Sequence, residues 1–206
     1  MIESDWPALV RRARALTDQR RILGITGAPG SGKSTVAARL AAALAGAAVV
    51  VPMDGFHLAQ AELARLGRAD RKGAADTFDA AGYVALLRRL RDPAEGVVYA
   101  PEFRREIEEP IACALPVEPS VPLVVTEGNY LLHDAGAWAG VRPLLDEAWY
   151  VDVDRALRLE RLIRRHVEFG KPPDVARAWV LRSDERNAEL VAATRGRADV
   201  VVRLED

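Results

Sequence analysis

Apolar positions in this chain follow two rhythms. Short, nearly unbroken aliphatic runs recur at RILGIT (21–26), AAVVVP (47–52), PLVVTEG (122–128), EAWYVDVD (147–154) and DVVVRL (199–204). Runs of that length suit strands covered on both faces, as in a parallel sheet. Between them the period lengthens to that of a helix. STVAARLAAALAG (34–46) is rich in Ala and Leu and stops at Gly46. FDAAGYVALLRRLRD (78–92) sets Tyr83, Leu86, Leu87 and Leu90 on one face, with Asp79 as N-cap and Pro93 as stop. RALRLERLIRRHVEFGK (155–171) and residues 174–192 read as two more helices. The alternation predicts one α/β domain with a mainly parallel five-stranded sheet and right-handed crossovers. Residues 97–122, rich in Pro and Glu, break both rhythms and form either a hairpin or a long loop over the site.

Composition narrows the class. With 206 residues, half of them apolar, the chain can bury one sizeable core, and it is read as a single domain over 1–206. Its 29 basic and 30 acidic residues leave a net charge of −1, so bulk electrostatics favour neither nucleic acid nor an anionic membrane as partner. A lone cysteine, Cys113, allows neither an intramolecular disulfide nor a cysteine metal site. The N-terminus places acids before any apolar stretch, the wrong order for a secretory signal, and no run has the length of a membrane span. A cytoplasmic setting is expected.

The first strand runs into GAPGSGKST (27–35), which matches G-x-x-x-x-G-K-[ST] and opens a helix. Glycines let such a loop curl so that successive N–H groups face phosphate oxygens at the positive end of the helix. Gly27, Ala28, Pro29, Gly30, Ser31, Gly32, Lys33, Ser34 and Thr35 are therefore the expected nucleotide-binding residues. Lys33 would neutralise the β- and γ-phosphates of ATP, and the Ser34 hydroxyl would ligate Mg²⁺.

A phosphate loop serves kinases and nucleotide switches alike; a kinase also needs a group poised over an acceptor hydroxyl. Asp54, in PMDGFH (52–57), falls at the carboxyl end of the second strand, the edge where open parallel sheets place ligands. There it either takes the hydroxyl proton or orients the hydroxyl and helps hold Mg²⁺; the bland assignment is a turn cap with Gly55. Phe56 and His57 would line the acceptor pocket, with a plain hydrogen-bonded loop histidine as the other reading of His57. Glu127, at the end of VVTE, is either a second acid for Mg²⁺ and its waters or a strand-end acid in solvent.

The phosphate loop, MDGFH, RKGAADTFD (71–79), YAPEF (99–103), VVTEGNYLL (124–132) and TRGRADVVV (194–202) together resemble the phosphoribulokinase, uridine kinase and pantothenate kinase group of P-loop metabolite kinases. RKGAADTFD resembles a segment of bacterial pantothenate kinases, as does Trp179 followed by TRGRAD. The resemblance implies that Asp54 is the catalytic carboxylate and Glu127 assists near the metal. It also implies that Arg71 and Lys72 face the acceptor, and Tyr99 and Phe103 are expected on that side. The chain is shorter than pantothenate kinases and lacks the N-F-D-H-P run of uridine kinases. MDGFH, RKG, EGNYLL and RHVEFGK bring it nearest to a small bacterial subgroup labelled uridine kinase-like or fructose transport system kinase-like. That points to a sugar or nucleoside-like hydroxyl, with a pantothenate-like acid as the other class. Related kinases are often dimers, so a homodimer is a further expectation.

Arg158, Arg161 and Arg165 share one face of their helix. From spacing alone they are either a clamp over ATP or a solvated face paired with Glu160 and Glu168. The resemblance implies a small lid over about 155–172, with Arg161 and Arg165 at the transferring phosphoryl group and His166 at its hinge or substrate face. It places acceptor-side insertions at about 55–78 and 97–120, and puts Arg195 and Arg197 near the nucleotide base. Asn187 either bonds an acceptor hydroxyl or lies on a polar helix face. A nucleoside kinase proper, or a regulatory nucleotide hydrolase without a small acceptor, are the rival readings.

Overall fold

The computed structural model describes residues 1–92 and 94–203. Pro93 and Leu204, expected as a helix stop and a strand end, lie outside the described residues. The five expected strands are β2 (Arg21–Thr26), β3 (Ala48–Pro52), β6 (Leu123–Gly128), β7 (Glu147–Val151) and β8 (Val200–Val202). A sixth, β1 (Ile2–Glu3), joins the edge, giving the order β1-β8-β7-β2-β6-β3 with every pairing parallel. Two residues are too few to leave a hydrophobic pattern, so β1 was not foreseen. Its neighbour α1 (Trp6–Arg14) starts where the Asp5 carboxylate accepts from the Ala8 amide at 3.0 Å.

Alternation along each strand sends side chains into two cores. Ile22 and Val124 join Tyr83, Leu87, Tyr130 and Trp138 on one face. Leu23, Ile25 and Val125 pack with Leu9, Val36, Leu40 and Trp149 on the other. Both faces of β2 and β6 are covered, so both strands read as unbroken apolar runs.

The helices α2 (Lys33–Ala43), α4 (Ala80–Arg91) and α5 (Arg155–Glu168) sit where the periodicity placed them. Asp79 caps α4 by accepting from the Gly82 amide at 2.8 Å, and Gly46, at φ 86°, turns the chain after α2. The helix expected over 174–192 is continuous but carries a π turn at its centre. It comprises α6 (Pro173–Trp179), a π-helical turn at Val180–Asp184, and α7 (Glu185–Ala192). A π turn leaves the apolar period nearly intact, which hides it from a periodicity argument.

Residues 97–122 resolve to the hairpin: β4 (Val98–Arg104) and β5 (Glu109–Val117) pair antiparallel, apart from the main sheet. A short helix α3 (Gln60–Arg65) follows the Asp54 turn. No helix among the described residues is long and apolar enough to cross a membrane.

Candidate active site

The site lies at the carboxyl ends of β2, β6 and β3. Parallel register puts Glu127 beside Ile25 on one side and Pro52 on the other. Two residues past Pro52, the chain makes a 3₁₀ turn over Met53–Phe56 that carries Asp54. Below it, the Thr126 hydroxyl donates to the Val51 carbonyl at 2.7 Å and lies 2.6 Å from the Tyr83 hydroxyl, locking β6 to β3 beneath the two carboxylates.

The 27–35 loop joins β2 to α2. Gly30 and Gly32 adopt φ of 81° and 86°, a region that disfavours side chains, and Gly32 is the N-cap of α2. A Cβ on Gly30 would come within 2.7 Å of Leu162 and 2.9 Å of the Arg158 carbonyl, so α5 rests directly on the loop. The Ser34 hydroxyl donates to Glu127 at 3.0 Å. Burial pushes the Glu127 carboxyl up, with nearby Lys33 opposing. Burial pushes the Lys33 ammonium down, and Glu127 and Asp54 oppose that in turn. Burial alone would raise Asp54, yet the surrounding positive charge of His57, Lys33, Arg105 and Arg165 outweighs it and holds the carboxyl below its ordinary value. His57 is itself pushed down by burial, so near neutrality the cations that act on Asp54 are Lys33 and the two arginines.

Two clefts meet at Lys33 and Ser34. The donor cleft is lined by Gly30 to Val36 together with Arg39, Arg161, Arg164 and Arg165. The acceptor cleft, about 290 Å³, takes in Asp54, His57, Lys72, Phe103, Arg165 and Asn187 of the expected residues. It also contains Arg105, Asn129, His166, Lys171, Trp179 and Asp184. His57 Nδ1 donates to the Asp54 carbonyl at 2.8 Å, and its ring lies 3.9 Å from Phe78 and 4.7 Å from Phe103. Asn187 is buried and donates to the Gly73 carbonyl at 3.3 Å, so it is not an exposed helix-face residue.

Other expected residues sit elsewhere. Phe56 packs edge-on against Tyr83 at 5.2 Å, within the core. Tyr99 is 54% exposed on β4. Arg71 is bound to Asp76 at 2.9 Å and lines a separate groove with Arg182 and Arg186. Arg195 reaches Asp152 at 3.2 Å, and Arg197 reaches the Leu132 carbonyl and Asp134, both at 2.9 Å. None of these residues lines either cleft. Arg158, on the face expected to clamp phosphate, is buried and donates to the Pro29 carbonyl at 3.2 Å while pairing with Glu185. It fastens the lid helix to the loop and to α7.

Arg105 and Asn129 went unforeseen. Arg105 sits at the hairpin turn within a run of alternating charges that reads as a solvated surface. Asn129 follows the strand end at Glu127, and that position was a usable signal. Its Oδ1 is buried with no partner, as is the Ser31 hydroxyl in the loop. An unpaired buried polar atom is costly and suits a ligand group.

The loop residues fit a triphosphate: two left-handed glycines, an orphan Ser31 hydroxyl and the Lys33 ammonium line one cleft. No cluster of three or more metal-ligating acids, histidines or cysteines occurs among the described residues. Ser34 and Glu127 are the pair that suits Mg²⁺, an ion that keeps waters and phosphate oxygens as its remaining ligands.

Comparison with known proteins identifies the family. Over 152 residues the chain is 36% identical to the ATP-dependent kinase-like protein notR′ of Aspergillus versicolor, covering 69% of this chain and 88% of that one. It is 31% identical to a pantothenate kinase of Clavibacter michiganensis subsp. michiganensis, covering 88% of this chain and 66% of the other. A solved structure from Silicibacter sp. TM1040, named "putative fructose transport system kinase", superposes with a TM-score of 0.88 at 36% identity, covering 97% and 99% of the two chains. Residues 22–205 match the model of the Phosphoribulokinase / Uridine kinase family, and the chain belongs to that family of P-loop small-molecule kinases.

Proposed function

We propose that the protein transfers the γ-phosphoryl group of ATP to a hydroxyl of a small metabolite, a sugar, nucleoside or pantothenate-like acid, with Asp54 as the group that orients the hydroxyl and receives its proton. The observation that carries this reading is the meeting of the two clefts at Lys33 and Ser34, with Asp54 on the acceptor side. A nucleotide switch has no use for a second cleft walled by Phe78, Phe103, Lys72 and Asn187.

The roles follow from the chemistry of transfer. Charge spreads over the phosphoryl oxygens, so donors fixed in an enclosed site stabilise the transition state. Lys33 and the loop amides provide those donors, and Arg161 and Arg165 extend them from the lid. Mg²⁺, when bound, neutralises phosphate charge; Ser34 and Glu127 would hold it. Closure of the α5 arginines over bound ATP would limit water, whose attack would waste ATP.

The test is ADP release with Mg·ATP across a panel of sugars, nucleosides, pantothenate and related hydroxy acids, beside an acceptor-free control. Acceleration by one class is expected and names the acceptor. A flat panel over steady hydrolysis would remove the kinase reading in favour of a regulatory hydrolase.

A further inference from the structure

The β4–β5 hairpin is anchored along the Asp54 turn and, at its tip, to α3 and Lys72. At its root, a Cβ on Gly55 would fall 2.4 Å from the Pro101 carbonyl oxygen, so only a glycine lets the two backbones approach this closely. Farther along, Phe103 lies against His57. At the tip, both carboxylate oxygens of Glu109 accept from the Gln60 amide, at 3.0 and 3.1 Å, and Lys72 donates to the Glu108 carbonyl. Arg105 lies between these anchors, with its Nη2 3.4 Å from Asp54 Oδ2. The contact is single and Arg105 is 41% exposed, so it is weak enough to exchange.

Hydrolysis and transfer share one bond change. An oxygen attacks the γ-phosphorus, the bond from phosphorus to the β–γ bridging oxygen breaks, ADP departs with the electron pair, and the attacking oxygen's proton passes to Asp54. The two reactions differ only in which oxygen stands beside that carboxylate. Water offers the carboxylate a single neutral hydrogen bond and competes poorly with a guanidinium held in place by the hairpin. A metabolite seated between Phe103 and Asn187 fills the cleft that Arg105 faces, so its hydroxyl displaces the guanidinium with the help of every other contact it makes.

From this geometry we infer that Arg105 is a positioning residue that occupies Asp54 while the acceptor cleft is empty and yields it to the entering hydroxyl, so that metabolite rather than water is phosphorylated. This rests on the kinase reading of Asp54.

The experiment measures acceptor-free ADP release under saturating Mg·ATP, alongside binding of a non-hydrolysable ATP analogue. Arg105→Ala is expected to raise acceptor-free hydrolysis on the order of tenfold, because a freed base can serve water. Arg105→Lys, which keeps a cation at the tip but not the guanidinium's reach, gives a smaller rise than Arg105→Ala. Glu109→Ala loosens the tip from α3 and gives a smaller rise, and it supplies the same comparison if Arg105→Ala fails to fold. Adding Asp54→Asn to Arg105→Ala removes the gain. Hydrolysis that stays level or falls in Arg105→Ala with analogue binding intact would overturn the inference, as would a gain that survives Asp54→Asn. Failure of the kinase reading has a different signature: no compound in the panel accelerates the parent protein, whatever Arg105 does.

Discussion

The donor and acceptor halves of the cleft are built on opposite plans. One unbroken stretch, Gly30 to Val36, forms the phosphate side of the donor half, with its loop held open by Gly30 and Gly32, and α5 closes it from above through Arg161, Arg164 and Arg165. The acceptor half is assembled from segments far apart in sequence: the Asp54 turn, residues 72–78, the hairpin, Asn129, the end of the lid and the π turn. Binding phosphate asks for the same backbone whatever the metabolite, so it is compact and local. Recognising one metabolite asks for side chains from several directions, so it is dispersed and can change piece by piece.

The change expected to do most damage falls on one of the residues both halves share. Lys33 lines both clefts. Lys33→Ala should abolish detectable analogue binding in calorimetry and lower turnover by about a thousandfold or more, since a fixed charge on the transferring group is lost. Intact binding would mean that the loop amides alone hold the nucleotide. Asp54→Asn should separate the halves: analogue binding persists while acceptor-dependent turnover drops on the order of a hundredfold. Full activity with the true acceptor would remove Asp54 from the mechanism.

The same contrast governs what the sequence disclosed. The sheet, the phosphate-loop turn and the placement of Asp54 just past a strand end were legible because each rests on a local pattern: an apolar run, a spaced glycine motif, an acid after an aliphatic run. Glu127 was legible for the same reason. Tyr99, Arg71, Arg195 and Arg197 were expected at the site through resemblance to relatives, and each instead faces solvent or holds an ion pair or a carbonyl. Arg158 shows the limit of helical spacing. It shares a face with Arg161 and Arg165, but the close approach of α5 to Gly30 buries it against Pro29. Arg105 could not be read at all, because its place depends on how the hairpin lies on the Asp54 turn.

That approach gives the third prediction. Gly55 has a buried position and no room for a methyl group, since the obstacle is the Pro101 backbone rather than a movable side chain. Gly55→Ala should cost about 1–3 kcal/mol in urea unfolding, the range for overpacking. It should also raise the KM for the acceptor more than it weakens ATP analogue binding, because the hairpin belongs to one half only. Equal losses on both sides would mean that the halves are mechanically coupled through the turn.

The smallest effect concerns His57, which ties the Asp54 turn to Phe78 and Phe103. Burial lowers its pKa from the ordinary 6.5, so the folded protein favours the neutral ring. The unfolded chain takes up the proton first as pH falls. His57 therefore contributes stability that is complete above 6.5 and lost as pH drops through its folded-state value. His57→Asn retains an amide donor for the Asp54 carbonyl but does not titrate there. Urea unfolding should show the parent losing stability on mild acidification by at most about 1.4 kcal/mol per pH unit more than the variant, with the two slopes converging above neutrality. Parallel slopes throughout would mean that water reaches the ring in solution, and that the aromatic wall of the acceptor half is looser than the loop it faces.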